Sequence, residues 1–172
     1  MQEAAATLDD TYAELLQLGK VTGNRSGAKK LVASMRQKIA KLIAAVPHAK
    51  KRPTVYYELD DTYYSADSST FIGRLLKLAG FANIADAAPG AGSGYPQLSA
   101  EYIVNADPDA IFLADTKCCN QSKATVGARP GFSDLSAVKH GHVVALDDDI
   151  ASRWGPRVVQ LLTVIVKAAK KL

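Results

Sequence analysis

The chain has 172 residues, of which 48% are hydrophobic and 22% are charged, and its formal net charge is +4. These proportions are typical of a globular protein, so they exclude a disordered chain, a collagen-like repeat and a cysteine-rich disulfide scaffold. The length predicts one domain with a complete hydrophobic core.

The positive charge is concentrated in the first third of the chain. Residues 1–52 carry ten basic and four acidic side chains, whereas residues 53–172 carry eleven and thirteen. A nucleic-acid-binding protein needs a basic face with aromatic or loop residues that read the nucleic acid. Here the surplus lies mainly on one predicted helix, so we interpret it as a solvated helix face and expect no nucleic-acid partner.

The sequence shows no membrane span. The longest apolar run, residues 158–166, is interrupted by Gln160 and Thr163, and it is far shorter than the about 20 apolar residues that a spanning helix needs. Residues 1–6 lack the basic-then-apolar pattern of a signal peptide.

The first 52 residues predict two helices. The first is capped by Thr7 or Asp9, runs to Leu18 and has Gly19 beyond its end. The second covers residues 26–46 and has an apolar side chain at every third or fourth position. At 1.5 Å per residue it would span roughly 30 Å. The prolines at positions 47 and 53 and the basic residues between them end this region.

After Pro53, predicted strands and helices alternate. Strands are predicted at residues 54–58, 83–85, 110–114 and 142–146, and helices at residues 69–79, 99–106 and 155–170. Ser99 caps the second of these helices, and Pro156 lies in the first turn of the last one. The order predicts an α/β fold, a Rossmann-like parallel sheet with helices on both faces, preceded by a long connector helix.

Nucleotide-binding and catalytic motifs are missing. The run from Gly90 to Gly94 lacks a third dinucleotide-binding glycine, which would fall at Tyr95, and we interpret it as a flexible loop over a cleft. Ser93 lacks the flanking glycines of a nucleophile elbow. His140 and His142 fit a turn before a strand better than a metal site. We therefore predict no catalytic residue and no metal ligand.

Cys118 and Cys119 are the whole cysteine content of the chain. Without a C-x-x-C motif, a structural zinc site is not expected. Adjacent cysteines in a loop are free thiols in a reducing compartment and form a strained vicinal disulfide in an oxidising one. The sequence leaves both alternatives open.

Polar residues follow three of the predicted strands, in residues 59–64, 115–122 and 147–153, which we call the strand-end loops. In open parallel sheets, ligands bind outside the carboxyl ends of the strands. These loops contain tyrosines, acids and an arginine but no pair of a base and a nucleophile, which favours binding of a bulky ligand over catalysis. Residues 147–149, a run of aspartates, are equally compatible with a solvated loop.

Several sequence blocks, in order, resemble the C-terminal half of class III solute-binding proteins, which serve ABC importers of ferric siderophores, cobalamin and haem. The most specific block runs from Tyr95 to Glu101 as Tyr-Pro-Gln-Leu-Ser-Ala-Glu. The others are residues 18–23, 56–58, 69–76, 79–84, 106–111, 129–132, 138–143 and 155–157. The blocks are spread from residue 18 to residue 157, so the resemblance extends over nearly the whole chain.

The resemblance implies roles for individual residues. Glu101 matches the exposed carboxylate that docks this half of the protein onto arginines of the permease, although a glutamate at a helix N-terminus is also favourable by itself. Trp154 fits the core as well as the cleft. The residues implied to line the ligand cleft are Tyr63, Tyr64, Tyr95, Asp149 and Arg153.

The resemblance also implies an organisation in three parts. Residues 1–23 correspond to the end of an N-terminal lobe, residues 24–52 to the interdomain helix and linker, and residues 53–172 to the C-terminal ligand-binding lobe. The N-terminal lobe itself is missing, so we expect half a cleft and weak or undetectable ligand affinity.

The family acts outside the cytoplasm, in the periplasm or as a lipoprotein. Its members use no cofactor and deliver a small metal chelate to the permease subunits of an ABC transporter. The alternative function is a metal-cofactor-handling or chelatase-like enzyme on a related two-lobed fold, against which the missing cysteine ligand set and base–nucleophile pair argue.

Overall fold

The computed structural model describes residues 5–47, 50–153 and 155–172. Its strands are β1 (Thr54–Glu58), β2 (Ala82–Asn83), β3 (Ala110–Leu113) and β4 (Val143–Ala145). Its helices are α1 (Leu8–Val21), α2 (Arg25–Ala44), α3 (Phe71–Leu78), α4 (Ala100–Ala106), α5 (Lys123–Gly127), α6 (Ser136–Lys139), α7 (Asp148–Ala151) and α8 (Val158–Ala169). Ile84–Ala87 and Phe132–Asp134 form short 3-10 turns.

The strands form one parallel sheet in the order β2-β1-β3-β4. Tyr56 and Tyr57 in β1 face opposite sides, and both are buried. Tyr57 belongs to a core with α3, α8 and α2, whereas Tyr56 belongs to a second core with Val126 and Phe132. A parallel sheet buried on both faces explains the uninterrupted apolar sequence of β3. The predicted α/β fold with helices on both faces is confirmed.

The first two helices pack against each other and against the sheet domain. Thr7 and Asp10 form a capping box at the start of α1, which satisfies amide groups that the first turn leaves free. Gly19 permits close approach of α2, because a Cβ there would lie 2.3 Å from the Cβ of Ala28. Met35 and Ile39 of α2 are buried in the core that also contains α8.

The structure differs from the prediction at several element boundaries. Helix α1 continues past its predicted end at Leu18 to Val21, so Gly19 lies inside the helix and does not end it. The last helix begins at Val158 with Arg157 as N-cap, so Pro156 precedes the helix instead of lying in its first turn. An additional short helix, α7, forms before it because the Asp147 carboxylate accepts hydrogen bonds from two amide groups of that turn. Strand β2 ends at Asn83, whose side chain accepts from the Ala85 amide and turns the chain into a 3-10 helix.

Among the described helices, none combines the length and the apolar character that crossing a bilayer requires. His48 and Trp154 lie outside the described residues, so the structure adds nothing to the two interpretations of Trp154.

Candidate functional site

The candidate site lies at the carboxyl ends of β1 and β3. From β1 the chain crosses to β2 on one side, and β3 lies on the other side of β1 and leads on to β4. This reversal of direction is a topological switch point, where open α/β sheets leave a crevice for ligands. The strand-end loops after β1 and β3 meet there, and the loop after β4 is next to them.

Two exposed tyrosines border this crevice. Tyr64 pairs with Gln97 in an antiparallel bridge, and the Ser65 amide donates to the Pro96 carbonyl at 3.0 Å. Tyr95 therefore lies beside the loop that follows β1. The side chains of Tyr64 and Tyr95 are 39% and 51% exposed. Exposed aromatic rings on an anchored backbone suit stacking against a large ligand.

Asp67 anchors the glycine-rich loop that presents Tyr95. Its carboxylate accepts hydrogen bonds from the amides of Gly92 at 2.8 Å and Gly94 at 3.0 Å. Both glycines have left-handed φ angles, 88° and 92°, which residues with a Cβ rarely adopt. Burial opposes ionisation of Asp67, but hydrogen bonds from Ser69, Gly94 and Gly92 hold its pKa below the usual value. These hydrogen bonds therefore fix the position of the loop that presents Tyr95.

The aspartate run has separate structural tasks. Asp148 accepts hydrogen bonds from the amides of Thr116, Lys117 and Cys118, at 2.8 to 3.1 Å. Burial opposes the ionisation of Asp148, but these bonds and the Thr116 side chain lower its pKa. Asp147 caps α7 and pairs with the Lys117 ammonium at 2.9 Å. The run thus joins the loops after β3 and β4.

Asp149 forms exposed ion pairs with Arg153 and Lys117. Arg153 Nη2 lies 3.3 Å from Asp149 Oδ1, and Lys117 Nζ lies 3.1 Å from Asp149 Oδ2. The Arg153 side chain is 72% exposed. Because exposed ion pairs are weak, both cations can turn toward an anionic ligand at little cost.

The side chain of Tyr63 packs against the second core, which contains Phe132. Its φ angle is 69°, and its ring packs on Phe132 with ring centroids 6.0 Å apart. The guanidinium of Arg129 lies 5.3 Å from the centre of the Tyr63 ring. The half-buried Tyr63 thus covers a neighbouring ion pair.

That ion pair joins Arg129 to Glu58, the last residue of β1. Both guanidinium Nη atoms bind the carboxylate, at 2.6 and 2.7 Å, and Gln121 accepts a third hydrogen bond from Arg129 at 2.8 Å. Glu58 is fully buried. A bidentate pair of this kind is strong and directional, and it ties the segment after α5 to the floor of the crevice.

A second buried carboxyl group lies beside the first. Asp115 follows β3, and neither of its carboxylate oxygens accepts a hydrogen bond from the described part of the chain. Burial, and then the charge of Glu58, raise its pKa to about 7. The hydroxyls of Tyr56 and Tyr57 are also buried and unpartnered within the described residues. Burial, followed by the charges of Asp148 and Asp115, raises the pKa of Tyr57. A polar layer therefore underlies the crevice.

Glu101 and the two cysteines lie on flanking elements. Glu101 is exposed in the first turn of α4, which Ser99 caps, directly after the segment that carries Tyr95. Cys118 and Cys119 are free thiols in the loop after β3, with their Sγ atoms 2.7 Å apart.

The structure groups no three potential metal-ligating His, Cys, Asp or Glu side chains within residues 5–47, 50–153 and 155–172. His142 precedes β4, so it lies at the opposite edge of the sheet, where its Nδ1 is 3.2 Å from the carbonyl oxygen of Asp109.

Sequence reasoning missed several residues of this site. Glu58 and Asp115 could have been recognised in the sequence, since each is an acid at the end of an apolar strand. Arg129 and Asp67 could not, because their partners are distant in the sequence and follow no periodic pattern. Lys117 lies within a strand-end loop but was not singled out.

Three comparisons place the chain among known proteins. A family model described as periplasmic binding protein matches residues 1–150. The cobalamin-binding protein of Halobacterium salinarum is 35% identical over 160 residues, which is 91% of this chain and 43% of that protein. An uncharacterized ABC transporter substrate-binding lipoprotein of Bacillus subtilis is 29% identical over 91% of this chain and 48% of its own length.

A solved structure shares the fold. It is described as an ABC-type Fe3+-hydroxamate transport system from Saccharomonospora viridis, with a TM-score of 0.77 and 25% identity, covering 96% of this chain and 57% of the other. The chain thus spans less than half the length of the curated relatives that it matches.

Proposed function

The chain belongs to the periplasmic binding protein family, and we propose on that premise that it forms one ligand-binding lobe of an ABC importer's solute-binding protein. The observation that carries this proposal is the pair of exposed tyrosines, Tyr64 and Tyr95, on anchored backbone at the switch point of the sheet. Lys117 and Arg153 add cations at the neighbouring loops. This arrangement suits binding and orienting a ligand.

The proposed solute is a metal chelate, namely a ferric siderophore, cobalamin or haem. The relatives include one named for cobalamin and a structure named for an Fe3+-hydroxamate system. Aromatic faces stack on large planar or ring-shaped surfaces. The ammonium of Lys117 and the guanidinium of Arg153 pair with carboxylate or hydroxamate oxygens.

A second lobe would complete the cleft. Leu18 and Val21 of α1 are 59% and 78% exposed, an apolar surface suited to packing against further protein. Because the relatives are about twice as long as this chain, the proposed occupant is the N-terminal lobe. We place the assembled protein outside the cytoplasm, as the family and its lipoprotein relative suggest.

The experiment that tests the binding site uses isotope-labelled chain and four probes: cyanocobalamin, haemin, ferric citrate and a ferric hydroxamate. Amide chemical shifts are recorded at high probe concentration because one lobe retains half of a cleft. We expect one probe to shift the amides around Tyr64, Tyr95, Lys117 and Arg153. Tyr95→Ala should weaken this probe about tenfold, as loss of a stacked ring costs about 1–1.5 kcal/mol.

Tyr95→Phe is the matched control, since it keeps the ring and removes only the hydroxyl. Wild-type affinity of Tyr95→Phe with weak binding by Tyr95→Ala supports stacking. Shifts that occur away from the strand-end loops, or no shift with any of the four probes, would contradict the proposed site.

A further inference from the structure

Two neighbouring thiols border the candidate site without joining its ion pairs. Cys118 is exposed and Cys119 is half-buried, and both belong to the loop that connects β3 to α5. Their Sγ atoms are 2.7 Å apart, well inside the distance at which two unbonded sulfur atoms normally rest. The loop holds both thiols on the same side of the chain.

The geometry of the pair favours bond formation between the two sulfurs. A disulfide has sulfurs about 2.05 Å apart, so the two Sγ atoms, now 2.7 Å apart, need to approach each other only slightly. The described peptide bonds are trans, which sets neighbouring Cα atoms about 3.8 Å apart. Most disulfides join Cα atoms that are about 4.4–6.8 Å apart. The eight-membered ring would therefore be strained and easily reduced, as is typical of labile rather than structural disulfides.

We propose that Cys118 and Cys119 form a reversible redox site that alternates between a dithiol and an intramolecular disulfide at the edge of the ligand site. The oxidant is a small-molecule disulfide. One cysteine thiolate attacks it, forms a mixed disulfide and releases one thiol. The other thiolate then attacks the protein sulfur of the mixed disulfide, closes the ring and releases the second thiol. The protein gives up two protons and two electrons, and the oxidant becomes two thiols.

The raised pKa of the Cys118 thiol keeps this exchange slow near neutral pH. The hydrogen bond with the Cys119 thiol, then burial and the charges of Cys119, Asp148 and Asp115, raise the pKa of Cys118 to about 12. Lys117 is the cation in the same loop, but its ammonium is held by Asp147 and Asp149. Since the thiolate is the reacting species, ring closure should accelerate as the pH rises.

Ring closure would act on the loop through its backbone. The Cys118 amide donates to Asp148 Oδ2 at 3.1 Å, and the Cys119 amide donates to the Asp115 carbonyl at 3.2 Å. Gln121 donates to the Cys119 carbonyl at 3.0 Å and also accepts from Arg129. Because an eight-membered ring restricts the backbone of both cysteines, these bonds must lengthen or change partner. The redox state is thereby coupled to the loops that carry Lys117 and Asp149.

The test equilibrates the full chain in graded mixtures of reduced and oxidised glutathione at alkaline pH, traps free thiols by alkylation and identifies the products by peptide mass spectrometry. We expect a reversible two-electron transition to a monomeric ring disulfide. Amide hydrogen exchange should then change about tenfold at residues 116–119, the effect of losing one charge-assisted hydrogen bond, and remain unchanged in the core strand β3.

Cys118→Ser and Cys119→Ser are the controls, each first checked for native unfolding behaviour. Each should form only a mixed disulfide with glutathione. Wild-type chain that yields only mixed disulfides or disulfide-linked dimers would overturn the redox site. A ring that forms without any change in the exchange of residues 116–119 would overturn its coupling to the ligand site. Neither result depends on which solute the protein binds.

Discussion

The buried carboxyl groups at the ends of β1 and β3 differ in their hydrogen-bond partners. Glu58 accepts hydrogen bonds from both Nη atoms of Arg129. Asp115 accepts no hydrogen bond from the described residues. Two neighbouring carboxyl groups disfavour ionisation of each other, and with burial this raises the pKa of Asp115 to about 7. A carboxyl group paired with an arginine and a carboxyl group with a raised pKa therefore lie side by side under the crevice.

This difference predicts an unusual pH dependence of stability. The pKa of Asp115 is raised to about 7 in the folded chain, against about 3.9 when unfolded. The stability from its protonated form is fully present below the unfolded value and is lost as the pH rises through about 7. One pKa unit corresponds to about 1.4 kcal/mol, and relaxation of the site reduces the total. We expect a loss of about 2 kcal/mol between about pH 5 and pH 9.

Asp115→Asn should remove most of that loss, because the amide is neutral at every pH and keeps a donor toward Glu58. Denaturant unfolding followed by circular dichroism at several pH values measures it. Asp134→Asn is the control, since the Asp134 side chain is 81% exposed. Equal pH dependence in wild type and Asp115→Asn would show that Asp115 is already ionised in the folded protein.

At the scale of elements, each of two loops of the site is held in place by hydrogen bonds to one aspartate. Asp67 holds the glycine-rich loop to the segment before α3, and Asp148 holds the loop after β3 to α7. In both cases one carboxylate accepts hydrogen bonds from several amide groups of a different part of the chain. Loops without regular structure gain a fixed position in this way, and exposed side chains such as Tyr95 stay oriented without being buried.

We predict that Asp67→Asn loosens the loop without unfolding the domain. Asparagine keeps the shape but loses the charge and one acceptor oxygen, so the amides of Gly92 and Gly94 should exchange about tenfold faster, since charge-assisted hydrogen bonds contribute about 1.5–3 kcal/mol. Hydrogen exchange followed by NMR reports this directly. Asp86→Asn is matched, because Asp86 also accepts from the chain near α3, at Ser68. Similar amide exchange at Gly92 and Gly94 in both variants would show that the loop keeps its position without the Asp67 carboxylate.

At the scale of the whole molecule, the exposed features lie on two surfaces. The crevice edge carries Tyr64, Tyr95 and the cations, and α4 with Glu101 begins next to it. The apolar residues Leu18 and Val21 lie on the helical hairpin formed by α1 and α2. This separation agrees with the proposed ligand site at the crevice and the proposed contact of the second lobe with the helical hairpin.

For the permease contact, we predict that Glu101→Ala leaves solute binding intact and impairs uptake in cells that depend on this protein. Loss of a carboxylate at a helix N-terminus costs only about 0.3–1 kcal/mol, too little to unfold the domain. Uptake of the probe identified in the binding experiment measures the effect. Glu101→Asp should restore part of the uptake because it keeps the charge. Normal uptake by Glu101→Ala would refute the docking role.

Local patterns in the sequence predicted the secondary structure well. Strands β1 and β3 lie within a residue of their predicted bounds. Ser99 caps α4 as predicted, and of the two candidates for the first cap, Thr7 and Asp9, the structure has Thr7. Periodicity and capping depend on neighbours a few residues apart, so they can be read from the chain directly. The sequence did not predict the start of α8 correctly. The short helix α7 forms before it because Asp147 caps that turn, and apolar periodicity does not reveal such a hydrogen bond.

The sequence by itself determined the α/β architecture, the order of its elements and the three loops that border the crevice. The tertiary structure alone decided which side chains meet there. Glu58 and Arg129 are 71 residues apart, and Tyr63 packs on Phe132 instead of standing beside Tyr64. The reason is that such pairs are set by strand order and by the burial of charge, which involve the whole chain at once. A local sequence pattern predicts which face of a helix or strand a residue occupies, whereas the packing of the whole chain decides which residue it contacts.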